Sequence, residues 1–462
     1  MRLSHARRAV SVRFDDPNLV SCAGLAAVVA LATRCGLASL LVERVHLAGK
    51  GGANGAAKVL ALVAGMVAGA DCIQDMGLLR HGGMARLFDQ VRAPSTLGTF
   101  LRSFTFGHVR QLDGVAAHFL ARLAAGCPVL TGADQVAFVD LDDTVRQTYG
   151  YAKQGAGRGY TGVNGLNALL ATICTPLSAP MIAATRLRKG STNSARGAAK
   201  LLADALATAS RAGVAGLVIV RADSAFYGHD IIAAARRGGA RFSVTARQTP
   251  AVIRAIAGIG EHAWTPIRYP NAIFDEAEQR WISEAEVAEV QFTAFTGRRK
   301  AEHVTARLVV RRVRRLNGVH VPAGQDEMFA VYRYHAIFTD SPEPMLDAEA
   351  THRDHAIIEQ VIADLKDSAL AHLPSGVFTA NAARLICAAI AFNLTRAAGA
   401  LASARHTRAR TGTIRAQLIH TPARIARSAG RLILHLPTDW PWQPGLDQLF
   451  RRALHDPLPT AA

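Results

Sequence analysis

Hydrophobic spacing divides the chain into regimes. From Leu19 to Leu130 apolar residues recur at helical intervals, broken at Gly51-Gly52 and Gly82-Gly83. Gly24 to Val42 is apolar apart from Thr33, Arg34 and Ser39, which predicts a buried helix and not a membrane span. VSVRF at 10–14 reads as a short strand. Further on, Ser95 is placed to cap a helix whose inward stripe is Leu97, Leu101 and Phe104, with Thr96, Thr99 and Arg102 outward. A short capped helix there fits a helix-turn-helix reader, and fits a plain helical bundle equally.

At Gln135 the period changes to two. Val136, Phe138, Asp140 and Asp142 alternate with Ala137, Val139 and Leu141, so Asp140 and Asp142 share one strand face, about 7 Å apart. Residues 167–174 and 180–188 read as two more strands, 194–212 as an Ala-rich helix, and 216–220, GLVIV, as a fourth strand. Asp223 follows at its carboxyl end, where open α/β sheets gather ligand groups. A helix over 230–237 and a strand over 241–245 come next. Residues 249–340 interrupt the order with β-like runs at 289–295, 305–313 and 328–339.

The stretch THRDHAIIEQVIADLKDSALAHL, 351–373, predicts one helix. Thr351 and Asp354 resemble a capping box, and His352, His355, Glu359 and Lys366 fall near one face. Glu359 borders the apolar stripe, and position 363 is Ala, so no basic partner stands one turn on. A carboxylate in that place needs a partner from elsewhere in the fold.

Charge sharpens the picture. Lys and Arg number 53 against 35 Asp and Glu, a formal net charge of +18, which points to a polyanion, nucleic acid before a membrane surface. After Asp367 no acid appears until Asp439, while Arg384, Arg396, Arg405, Arg408, Arg410, Arg415, Arg424, Arg427 and Arg431 intervene. That run reads as a phosphate-contacting surface. The six cysteines are scattered with no CxxC pair, which argues against a zinc site or a disulfide framework and fits reduced thiols in a cytoplasm. Asp15 and Asp16 precede any apolar run, so the start does not read as a signal peptide. No Walker pattern occurs, and Trp264, Trp281, Trp440 and Trp442 are expected to pack.

Several stretches in this order, ADCIQDMGLLR, RAPSTLGTFLRSF, VDLDDTVRQTYGY, RADSAFYGHD, HRDHAIIEQVIADLK and the Arg-rich segment ahead of LPTDWPW, resemble the DDE transposases of bacterial insertion sequences. The likeness is nearest to the insertion-sequence family thirteen-eighty and covers nearly the whole chain. It implies an α/β fold: a ribonuclease-H-like mixed sheet with a β-rich insertion, preceded by a helical DNA-binding region and followed by a basic helical tail. The expected divisions are 1–130 for the helical region, 131–248 and 346–400 for the two parts of the core, 249–345 for the insertion and 401–462 for the tail.

The resemblance also implies three metal-binding catalytic carboxylates, Asp142, Asp223 and Glu359. Asp142 is favoured because related enzymes place the first Asp two residues before a Thr, here Thr144; Asp140 is the alternative, and Asp143 faces the other way. Related enzymes carry Tyr-x2-Arg-x3-Glu-x6-Lys. Glu359 and Lys366 match, while His352 and His355 replace the Tyr and Arg, with Arg353 adjacent. His352, Arg353, His355 and Lys366 are the expected phosphate contacts, with Arg102, Arg405, Arg408, Arg410 and Arg415. Two Mg²⁺ ions, or Mn²⁺ in their place, would serve an in-line displacement, and hard carboxylate oxygens suit them. The implied partner is double-stranded DNA, both terminal inverted repeats and target. A homodimer or larger assembly would act on it in the bacterial cytoplasm, at the nucleoid, with no membrane. The competing readings are a DNA-binding protein without catalysis and a host nuclease of the same fold.

Overall fold

A computed structural model describes residues 11–48, 52–89, 91–150, 152–268, 274–275, 280–281, 285–314 and 332–455. The side chain of Trp281, residue 10 of the first expected strand and 328–331 of the last β-like run lie outside the described residues.

The amino-terminal region is helical: α1 (Leu25–Arg34), α2 (Leu37–Arg44), α3 (Gly55–Val67), α4 (Pro94–Arg102) and α5 (Phe106–Gly126). The single buried helix expected over 24–42 is two helices bent by 54°. Gly36 makes the break with φ +72°, and a Cβ there would collide with the Arg122 guanidinium. Residues 11–14 form no strand; Val12 and Phe14 are exposed. Ser95 is not the cap of α4. Ala93 holds that position and Pro94 opens the helix, because proline suits a first turn whose N–H groups have no partner. Leu97, Leu101 and Phe104 are buried as their spacing predicts.

The centre is one mixed sheet. Strands β1 (Val136–Gln147), β2 (Asn164–Thr175) and β3 (Ser178–Lys189) pair antiparallel through hairpins. Helix α6 (Ala198–Arg211) then crosses back to β4 (Leu217–Ala222), parallel to β1, and α7 (His229–Arg237) crosses to β5 (Arg241–Thr245), parallel to β4. The spatial order is therefore β3-β2-β1-β4-β5. Long apolar strands such as LVIV in β4 suit a sheet covered on both faces. The interrupting segment supplies β6 (Thr265–Ile267), β7 (Ala285–Ala294), β8 (Val304–Arg314) and β9 (Tyr332–Thr339). These strands continue the same sheet: β9 pairs with β5, then come β8, β7 and β6. Pairing of β9 covers the edge that β5 would otherwise leave open.

The helix expected over 351–373 is broken. Helix α8 (Met345–Arg353) ends in a tight turn at Asp354–Ala356, and α9 (Ile357–Lys366) follows. Thr351 lies inside α8 and donates to Glu343 Oε1 at 3.0 Å instead of capping. His352, His355, Glu359 and Lys366 are thus split over three elements.

Helix α10 (Phe378–Ala402) is the apolar spine on which α3, α5, β3 and α11 (Gln443–Leu454) pack. It is long and apolar enough to cross a membrane, yet its apolar window lies wholly inside the fold. Its arginines correct the expectation of a continuous phosphate-facing run. Arg384 and Arg396 are buried and donate to backbone carbonyls, Arg384 to Asp71 and Ala369, Arg396 to Thr407 and Ala409. The tail is not only helical. Strands β10 (Ala423–Ser428) and β11 (Arg431–His435) form a hairpin that pairs with Leu19–Val20, turning at Ala429 (φ 49°) and Gly430 (φ 78°).

Asn393 on α10 binds both backbone groups of Ile182 in β3, accepting from its N–H and donating to its carbonyl at 2.8 Å each. Asn393→Ala leaves two buried polar groups unpaired and is expected to destabilise the protein by about 2–4 kcal/mol. A urea titration with unchanged slope and a lowered midpoint checks this.

Candidate active site

Parallel pairing of β1 and β4 runs in register through Leu141 opposite Ala222. The next residues on the two strands are Asp142 and Asp223, so their backbones lie about 5 Å apart. Beyond Ala222 the chain leaves the sheet in a tight turn, and Asp223 caps it by accepting from the Ala225 N–H at 2.9 Å. Asp223 therefore fills the capping role open to any Asp at this place, and it also lines a cavity of about 390 Å³ together with Asp142.

Neither carboxylate has a cation hydrogen-bonded to it among the described residues. Burial, followed by the neighbouring Asp223 charge, pushes Asp142 up to about 7, against the opposing Asp143 N–H, which donates to Asp142 Oδ1 at 2.7 Å. Burial also raises Asp223. His355 acts electrostatically on both, in the opposite sense. Two crowded carboxylates opening on one polar cavity form a hard-oxygen donor set suited to a divalent cation.

Asp140, the alternative first acid, is differently placed. It is fully buried, and Arg221 donates Nε to Oδ1 at 2.7 Å and Nη2 to Oδ2 at 2.8 Å, while His355 Nδ1 sits 3.2 Å from Oδ1. Burial works to raise Asp140, but Arg221 and His355 outweigh it and hold it below the usual carboxylate range. Both oxygens are therefore engaged in the interior.

Glu359 occupies the first turn of α9, four residues beyond His355, and is exposed; it does not line the cavity of Asp142 and Asp223. Lys366, at the other end of α9, is half-buried. His352 corrects an expectation. It is buried, with Nδ1 bonded to Ser243 Oγ and Nε2 to Thr245 Oγ1, each at 2.9 Å, so neither nitrogen can reach a phosphate. Burial, with His355 and Arg221 beside it, pushes its pKa down to about 3. Arg353 pairs with Glu349 at 2.9 Å. Arg102, Arg405, Arg408 and Arg410 are exposed. Arg415 is half-buried and donates Nε to the Val67 carbonyl at 3.2 Å, which closes α3 instead of facing outward.

Other residues of the cavity escaped the sequence reading. Arg247, just past β5, donates to the Ser224 and Ala225 carbonyls at 2.8 and 3.0 Å and stands at the cavity wall. The strand-end rule that singled out Asp223 could have found it. Asp143 does point to the opposite face, but it is not idle. It binds Arg188, Asn167 (2.8 Å) and Tyr160 (3.3 Å), and Arg188 reaches on to the Ser194 carbonyl at 2.7 Å. That loop forms another wall of the cavity. Asp71, Cys72 and Asp75 also lie at metal-ligand spacing. Asp75 there accepts from the N–H groups of Asp71 and Cys72, which makes a turn.

A family model described as transposase DDE domain group 1 matches residues 3–456 of the chain. No curated protein matches.

The raised Asp142 carboxyl has a consequence for the metal-free protein. Between the unfolded carboxylate range and about pH 7 the folded state binds the extra proton, so stability falls as pH rises through that window and levels off above it. Asp142→Asn is expected to flatten this slope, read as a smaller difference in melting temperature between pH 5 and pH 8.

Proposed function

The chain belongs to the DDE transposase family, and on that premise we propose that it cuts DNA at the inverted-repeat ends of its element and joins them to target DNA in a divalent-metal-dependent reaction. The observation that carries this reading is the juxtaposition of Asp142 and Asp223 at one open cavity by the parallel β1–β4 register. The order β3-β2-β1-β4-β5, with β2 alone running opposite to the other four, supports a ribonuclease-H-like core.

Asp142 and Asp223, joined by Glu359 from α9, would hold the Mg²⁺ pair. Glu359 makes no hydrogen bond or ion pair among the described residues, which leaves its carboxylate available. Bound there, the ions would supply an activated water and stabilise the leaving oxygen of an in-line displacement. The protein's own part is positional. Asp143 and Arg188 shape the wall where the scissile strand would lie, and Arg247 brings a cation to it. His355, 3.2 Å from Asp140 and acting electrostatically on both acids, would donate to a phosphate oxygen. Exposed Arg102, Arg405, Arg408 and Arg410 would track the DNA backbone, with Arg353 and Lys366 nearer the cut. Two element ends must be cut together, so the working form is a homodimer or larger, acting on DNA in the bacterial cytoplasm.

With a duplex carrying the element's ends, cleavage is expected in Mg²⁺ or Mn²⁺ and none in EDTA. Asp142→Asn, Asp223→Ala and Glu359→Gln should each lower the rate by roughly a hundredfold or more, beyond the range seen when a metal ligand's supporting residue is lost. Binding of the same duplex should survive. Binding by the intact protein with no cleavage under any of these ions would leave a DNA-binding protein without catalysis. Hydrolysis with no joined product would leave a nuclease.

A further inference from the structure

A second cavity, of about 400 Å³, has Arg221, the partner of Asp140, in its wall. Its walls are the β2–β3 turn, one face of α9 and the segment 408–410. Five arginines line it, Arg221, Arg353, Arg396, Arg408 and Arg410, against two aspartates, Asp354 and Asp364. Arg221 and Arg353 are paired with Asp140 and Glu349, and Arg396 is engaged by backbone carbonyls, so the cations left to a ligand are Arg408 and Arg410. Asp364 accepts from the Thr411 N–H at 2.9 Å, and Arg408 and Arg410 make no ion pair among the described residues. The segment that carries them is fastened from two sides. Arg396, buried, donates to the Thr407 and Ala409 carbonyls from α10, and Asp364 grips Thr411 from α9. Arg408 itself donates to the Pro176 carbonyl at 2.5 Å, which closes the segment onto the β2–β3 turn. Phe138, whose ring lies against Arg221, with Ile357 and Phe392, supplies the apolar part of the lining.

Arginines on a fastened segment beside apolar lining match a sugar-phosphate backbone: charge for the phosphate, apolar surface for the sugar. Phe138, at the cavity, precedes Asp142 by four residues on β1, about 13 Å at strand rise. We propose that this cavity is a phosphate-binding subsite for the DNA backbone flanking the scissile bond. The inference rests on the DNA-processing reading above and assigns Arg408 and Arg410 a built site in place of a diffuse basic surface.

The test is a binding measurement on the full chain in EDTA, so its outcome does not depend on cleavage. Anisotropy of a fluorescently labelled duplex is followed between about 50 and 200 mM salt, and the slope of log affinity on log salt is taken. Each phosphate contact contributes about 0.9 to that slope. Arg410→Ala should reduce its magnitude by about 0.9, and Arg408→Ala with Arg410→Ala by about 1.8, with Asp223→Ala keeping the original slope. Unchanged melting temperatures show that the fold is kept. Gln360, exposed on the α9 wall, offers a variant that removes no cation. Gln360→Glu should weaken binding and Gln360→Lys should strengthen it. An unchanged slope in the double variant, or shifts of the same sign in the two Gln360 variants, overturns the proposal.

Discussion

The bidentate pair between Asp140 and Arg221 is the constraint on which the rest of the architecture depends. The two residues face each other across the parallel β1–β4 seam, both fully buried. Arg221 also lies over the Phe138 ring at 4.2 Å and donates to the Thr351 carbonyl at 2.7 Å. Removing two charges from water is costly, and attraction offsets it only where the geometry is good and every donor is used. Here one ion pair joins two strands and the end of α8, and through Asp140 it also reaches His355 in the turn before α9. Slipping either strand by one residue would bury both charges unpaired, a penalty of about 3–5 kcal/mol. The register that brings Asp142 beside Asp223 is secured by this pair two positions earlier.

Three aspartates within four residues of β1 consequently have three different fates. Asp140 is ionised and saturated by Arg221. Asp142, on the same face, has Asp223 as its neighbour and no cation bonded to it among the described residues, and burial and repulsion push it up to about 7. Asp143, on the opposite face, binds Arg188 and orders the loop that walls the cavity. Environment, and not residue type, separates a carboxylate held ionised by a guanidinium from one pushed toward its protonated form.

The same sorting applies to the arginines. Arg384, Arg396 and Arg415 turn inward and satisfy carbonyls at chain turns and helix ends, a use the guanidinium's several planar donors suit. Arg405, Arg408 and Arg410, from the same uninterrupted basic run, face solvent. A one-sign stretch of sequence thus serves both as interior scaffold and as an outer surface, and the inner arginines hold the backbone that carries the outer ones.

Local periodicity by itself determined the strand bearing Asp140 and Asp142, the apolar strand ending at Asp223, and the amphipathic segment bearing Glu359, because side-chain alternation and turn chemistry are written in neighbouring residues. It could not determine where the helix of Glu359 begins, since the break at 354–356 depends on α8 packing against the extended sheet. Nor could it tell that His352 would be enclosed by Ser243 and Thr245, that the interrupting strands would lengthen the central sheet, or that the tail would close as a hairpin onto Leu19–Val20. Each of these rests on partners more than a hundred residues away or on an edge that only the assembled sheet creates. Burial and pairing across such separations are properties of the folded ensemble of contacts, and only tertiary structure supplied them.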